Sequence, residues 1–246
     1  MTGAESGIGA ACAAELAQSG ASVALLYYRD REAAEAVAAS PAVGRHAVIQ
    51  ADVRSESAIA EAFDRVARDL GVADILINSA GLNQSHTPVA DMTLDQWNRM
   101  LATDLTGAFL ACRRLVRDLR DAKKPGAIVN ISSIHASVAR AGAADYDAAK
   151  AGLASLTATL ALETAGLHIN VNAIAPGMIL TPMNGRAMTD DAYRSSLEAS
   201  IPWGRAGAPE EVARLACFLV SPAAEYITGA TVTIDGGLSL VLGQGA

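Results

Sequence analysis

Thr2-Gly3-Ala4-Glu5-Ser6-Gly7-Ile8-Gly9 runs directly into an Ala- and Leu-rich stretch, Gly9–Ser19, that reads as a helix. Glycines let a backbone approach a pyrophosphate closely, and a helix N-terminus offers free N–H groups and the positive end of a dipole. The spacing is Gly-x3-Gly-x-Gly, not the commoner dinucleotide fingerprint. Alone it is a weak signal, with an ordinary Gly-rich turn as the alternative. The rest of the chain decides between the two.

Downstream, short β-branched runs alternate with helical stretches. The strands expected are Ser22–Tyr28, His46–Asp52, Ile75–Ser79, Ala127–Ser132, Ile169–Ile174 and Thr231–Ile234. After Gly9–Ser19, the helices expected are Arg31–Ala39, Glu56–Leu70, Leu94–Arg120, Asp145–Ala165 and Glu210–Leu219. Strands separated by helix-length segments imply right-handed crossovers and a parallel sheet covered on both faces, an α/β fold. There is no internal repeat, low-complexity tract or linker, so residues 1–246 read as a single domain. Ligands of open α/β sheets bind beyond the carboxyl ends of the strands. Gly81 and the Pro176-Gly177 pair fall at such ends.

Composition narrows the function. Hydrophobic residues make up 51% and charged residues 18%, enough for a large core. The net charge of -7 argues against nucleic acid or an anionic membrane as partner. Cys12, Cys112 and Cys217 are odd in number and far apart, and read as buried apolar residues of a reduced protein. No run approaches the length of a membrane span and no signal core opens the chain, so a cytoplasmic bacterial-type enzyme is expected. The four histidines form no ligand pattern, and no metal is expected.

Three further motifs carry chemistry. Tyr146-x3-Lys150 opens a helix, with Ser133 at the end of the strand before it. One turn places Tyr146 and Lys150 on one face, and an ammonium beside a phenol favours the phenolate. Five tyrosines and three lysines predict roughly 0.06 such pairs by chance in this chain. Asn78-Ser79-Ala80-Gly81 is a small-residue turn after a strand, suited to a flat nucleoside. Asn172–Thr181 is a strand running into a rigid Pro-Gly turn.

Together, and in this order, the four motifs resemble the short-chain dehydrogenase/reductase family from Thr2 to the Asp235-Gly236-Gly237 turn. The resemblance implies a Rossmann-like doubly wound parallel sheet and hydride transfer between NAD(P) and an alcohol or carbonyl. It implies that Ser133 orients the substrate oxygen, Tyr146 acts as acid and base, and Lys150 holds the nicotinamide ribose and tunes Tyr146. Gly3, Ser6, Gly7, Ile8 and Gly9 would border the phosphates and adenosine. Asp52 and Val53 would meet adenine, and Asn78, Ala80 and Gly81 the ribose side. Pro176, Gly177, Ile179 and Thr181 would hold the nicotinamide.

Two departures stand out. The family carries a central strand just before the Thr-Gly; here only Met1 precedes it. That first strand is expected to be missing, with the natural start upstream. The family also has Asn in the helix motif that here reads Thr103-Asp104-Leu105-Thr106-Gly107. Asp104 is expected to be a fourth catalytic residue, and its carboxylate to lie near Lys150.

NAD-preferring members place an acid at the end of the second strand; here that end reads Leu26-Tyr27-Tyr28-Arg29-Asp30. Arg29 suits a phosphate, so NADP is the preferred cofactor, with NAD as a second, while Asp30 and Glu5 pull the other way. The loop Asn83-Gln84-Ser85-His86 and a lid-like stretch Met178–Arg205 should border the substrate, with His135 as a further polar group. The run Ser132–His135 and the tail Gly243–Ala246 resemble glucose 1-dehydrogenases, while the overall pattern resembles 3-oxoacyl-carrier-protein reductases. The family also implies a homo-oligomer, tetramer or dimer, packed through the helices near Leu94–Arg120 and Asp145–Ala165. Leu153, Leu156 and Leu160 are open to either the interface or the sheet. The rival reading is a catalytically silent NADP-binding scaffold or sensor on the same fold.

Overall fold

The computed structural model describes residues 1–40, 44–83 and 86–241. Six parallel strands are present: β1 Val23–Tyr27, β2 His46–Gln50, β3 Ile75–Asn78, β4 Gly126–Ile131, β5 Ile169–Pro176 and β6 Thr231–Ile234. β3, β4, β5 and β6 pair in that order, and β1 pairs with β2. β4 and β5 are buried along nearly their whole length, as strands covered on both faces must be.

The place of the expected first strand is held by Met1 and Thr2. Thr2 bridges Leu26 of β1 and Asn78 of β3, and the Met1 amino group donates to the Ala24 carbonyl at 2.7 Å. The sheet is thus a two-stranded and a four-stranded ladder, joined at this seam by isolated bridges.

Helices α1 Gly7–Gln18, α2 Arg31–Ala38 and α9 Pro209–Leu219 cover one face, where Cys12, Leu16, Val212 and Leu219 pack on Leu25 and Val129. Helices α3 Glu56–Asp69, α5 Gly107–Ala122 and α6 Ala144–Thr164 cover the other, where Phe63, Leu115 and Ala161 meet Ile128 and Val171. Sequence signals set several helix starts. Asp30 accepts from Ala33 N at 2.9 Å to cap α2, and Ser55 accepts from Ala58 N at 3.2 Å to cap α3. Leu153 is buried and Leu160 packs on the second core, so both face inward, while Phe109 and Leu162 are exposed. Cys12 and Cys112 are buried; Cys217 is half-buried.

The expected single helix Leu94–Arg120 is corrected in one respect. It is α4 Leu94–Leu101, a π turn Ala102–Thr106, and then α5. The wider turn inserts extra backbone without ending the helix, and such turns gather at functional sites. It carries Asp104 into the interior, where 1% of its surface remains exposed. Two short helices, α7 Gly185–Thr189 and α8 Asp191–Glu198, fill the lid-like stretch, and α10 Leu238–Val241 follows β6. Gln84, Ser85 and the tail Gly243–Ala246 lie outside the described residues.

Candidate active site

The strand ends and the N-termini of α1 and α6 enclose a cavity of about 410 Å³. β4 delivers Ser133 to its rim, and α6 delivers Tyr146 and Lys150 one turn apart. Ser132 Oγ donates to the Lys150 carbonyl at 3.2 Å, tying the strand end to that turn of the helix. Lys150 Nζ donates to the Ile131 carbonyl at 3.1 Å, pairs with Asp104 Oδ2 at 3.1 Å, and lies 5.4 Å from the centre of the Tyr146 ring. Asp104 Oδ1 accepts from Leu82 N at 2.8 Å. Burial alone would lower the pKa of the Lys150 ammonium; the Asp104 carboxylate and Tyr146 outweigh it and hold it above its ordinary value. Ser133 Oγ accepts from His135 N at 3.2 Å, which leaves the hydroxyl proton to donate.

At the opposite end, the glycine loop forms a cradle. Gly3 and Gly7 have φ of +63° and +52°. A Cβ on Gly3 would meet the Ala80 backbone at 2.8 Å, and one on Gly9 would meet the Gly3 carbonyl oxygen at 1.8 Å. Thr2 Oγ1 accepts from Ser79 N and Ala80 N and so stitches the loop to the end of β3. No side chain caps α1 at Ser6, so its first-turn N–H groups are not taken by one. A close-approach glycine cradle, an uncapped helix start and a continuous cavity together fit a dinucleotide.

The residues expected from the sequence fall into three groups. Gly3, Ser6, Gly7 and Ile8 line the cavity with Ala80 and Gly81; Pro176, Gly177, Ile179 and Thr181 line its other wall. Arg29, Asp52 and Val53 line the end expected to meet adenosine. Gly9 and Asn78 stand behind the wall. Gly9 packs on Gly3, and Asn78 Nδ2 donates to Asn130 Oδ1 at 2.9 Å and to Cys112 Sγ at 3.2 Å. Asp30 is spent on capping α2. Asn83 donates to the Met183 carbonyl, and Met183 and Asn184 join the cavity, whereas Met188 and Trp203 are exposed away from its wall.

The family profile described as Enoyl-(Acyl carrier protein) reductase matches residues 3–239. A 3beta-hydroxysteroid dehydrogenase 1 from Eggerthella lenta is 40% identical over 245 residues, 99% of this chain and 94% of that one. The chain belongs to the short-chain dehydrogenase/reductase family. Glucose 1-dehydrogenase 2 from Bacillus subtilis is 35% identical, covering 99% of this chain and 95% of that protein. A solved short-chain type dehydrogenase/reductase from Mycobacterium marinum superposes with a TM-score of 0.89 at 32% identity, covering 97% of this chain and 93% of that one. As a member of this family the chain is an oxidoreductase acting on alcohol or carbonyl substrates.

Against that family background, the cavity-lining Arg54 is a residue that the sequence reading did not single out. Arg54 forks Asp52 through Nε and Nη2, and its Nη2 also donates to Tyr28 Oη at 2.8 Å. The guanidinium holds the Asp52 carboxyl below its ordinary value. Arg29 and Arg54 both lie over the Tyr28 ring, at 4.9 and 5.4 Å from its centre. The available signal was the position of Arg54, two residues beyond Asp52 at the end of β2. Among the described residues no group of three or more His, Cys, Asp or Glu could hold a metal, and no helix is long and apolar enough to cross a membrane.

Proposed function

We propose that this enzyme uses NADP in preference to NAD to interconvert a secondary alcohol and a carbonyl on a small polar substrate. The observation that carries the reading is the Lys150 ammonium set beside Tyr146, on the same cavity wall as Ser133. A nicotinamide held in the cavity would supply or accept the hydride. The free proton of Ser133 Oγ donates to the substrate oxygen and orients it. Tyr146 Oη takes the alcohol proton as the C=O forms, and returns it in the reverse direction. Lys150 would hold the nicotinamide ribose, and it keeps positive charge beside Tyr146.

Arg29 and Arg54 support NADP, since two guanidinium groups on one aromatic shelf suit a 2′-phosphate. Glu5, which accepts from Tyr28 N at 3.1 Å and lines the same end, supports residual use of NAD through a ribose hydroxyl. Arg29→Ala and Arg54→Ala are each expected to weaken NADPH binding on the order of tenfold and leave NADH binding nearly unchanged. Fluorescence titration with both cofactors checks this; equal losses for the two would remove the phosphate subsite.

Asn83, bonded to the cavity residue Met183, and His135, edge-on to Tyr146, favour a hydroxylated substrate, a sugar such as glucose, over a 3-oxoacyl thioester. A panel of sugars, hydroxysteroids and 3-oxoacyl thioesters assayed with NADP and NADPH tests the reading. A protein that binds NADPH yet turns over none of them would be the silent scaffold. The exposed Phe109 of α5 and Leu162 of α6 support a homo-oligomer, tetramer or dimer, packed through those helices.

A further inference from the structure

We propose that Asp104 is a positioning residue that holds the Lys150 ammonium as half of a buried neutral pair, and so limits how much of that positive charge reaches the reacting hydroxyl of Tyr146. The inference rests on the dehydrogenase reading above. Asp104 and Lys150 are 1% and 5% exposed, and Nζ and Oδ2 are 3.1 Å apart. The Lys150 ammonium is ion-paired with Oδ2, an atom that no hydrogen bond otherwise satisfies, and Leu82 N donates to Oδ1. Both contacts favour the carboxylate, against the burial that opposes it. Gly81 makes the room: a Cβ there would lie 2.8 Å from Oδ2 and 3.6 Å from Nζ.

The other ionisable groups facing this point are few. Tyr146 comes from α6, and Asp145, at the start of the same helix, adds negative charge on Asp104. His135 stands edge-on to Tyr146, with ring centres 6.2 Å apart. It lies 3.9 Å from Asp147, and its Nδ1 is 2.8 Å from the Val138 carbonyl. Near Tyr146, therefore, the ammonium is the main positive charge and the Asp104 carboxylate cancels much of it. A phenolate is favoured by net positive charge. With Asp104 in place less of the ammonium's charge reaches the Tyr146 hydroxyl; with a neutral amide of the same shape more of it would.

Asp104→Asn tests this directly. The acid limb of the pH–rate profile for alcohol oxidation is expected to move down by about one pH unit. A second readout needs neither cofactor nor turnover. The chain has three lysines, Lys123, Lys124 and Lys150, so carbon-13 lysine labelling gives three side-chain signals, two of them removable by substitution. In the parent protein the Lys150 signal should stay in its ammonium form beyond the ordinary 10.5. In Asp104→Asn, burial is unopposed by the carboxylate, and the signal should titrate below 10.5. Asp104→Ser serves if the amide variant does not fold. An active variant with an unmoved Lys150 titration and an unmoved acid limb overturns the proposal. A shifted Lys150 signal in a protein that turns over nothing overturns the dehydrogenase reading and leaves the pairing standing.

Discussion

Tyr146→Phe is expected to lower kcat/KM by about a thousandfold while NADPH binding and thermal stability change little, because proton transfer by a placed side chain contributes roughly that much. The ring stays, so the packing against His135 and beneath the Lys150 ammonium stays with it. What is lost is the hydroxyl, the one group on this wall positioned by the adjoining ammonium to exchange a proton with substrate oxygen. Steady-state kinetics on the best substrate of the panel, with an NADPH titration beside them, separate the two effects. A loss smaller than tenfold would move the acid–base role elsewhere, with His135 the next candidate on geometry.

Lys150→Met should be worse, because it fails twice. It removes the charge beside Tyr146, and it strands the Asp104 carboxylate in an interior where that residue is 1% exposed. Breaking one partner out of a buried pair costs about 3–5 kcal/mol, a large part of a domain's stability. Burial already lifts the Asp104 carboxyl above its ordinary value, with Lys150 and the Leu82 amide opposing the rise. Without Lys150 that rise is larger. A carboxyl whose folded pKa exceeds its unfolded one penalises the folded state as pH climbs through the folded value, and not below the unfolded one. The Lys150→Met protein should therefore gain stability on acidification over that window. Pairing it with Asp104→Leu should restore much of the melting temperature at neutral pH and none of the activity. Recovery of activity in the double variant would show that Lys150 is dispensable to the chemistry.

Much of this arrangement is legible in the sequence. All six strands and their parallel order follow from β-branched runs spaced by helices, with ends off by a residue or two, as at Ser22 and Ser79, where hydrogen bonding rather than composition ends a strand. The π turn is not legible there. The amphipathic periodicity of α4 and α5 continues on either side of it, and one wider turn is invisible to a pattern built on 3.6 residues. Arg54 is hidden for another reason. Its importance comes from the β1–β2 pairing, which sets the end of β2 beside Tyr28, a neighbour 26 positions away. Asp104 is legible as a departure from a family pattern and as a neighbour of Lys150; what the pattern does not reveal is the π turn and the missing side chain at Gly81 that make room for the pair.

The division of the sheet into two ladders bears on more than strand count. Tyr28, Arg29 and Asp52, which lie just past β1 and β2, line one end of the cavity, while Gly81, Ser133 and Pro176, at the ends of β3, β4 and β5, line the other. A dinucleotide stretched across it would touch both ladders of the sheet at once. Cofactor and fold are then thermodynamic partners: ligand at about a hundred times its Kd adds about 2.7 kcal/mol to the native state. The amides of β1 and β2 should gain protection from hydrogen exchange together with those at the ends of β3, β4 and β5, so that both ladders report whether the enzyme is loaded.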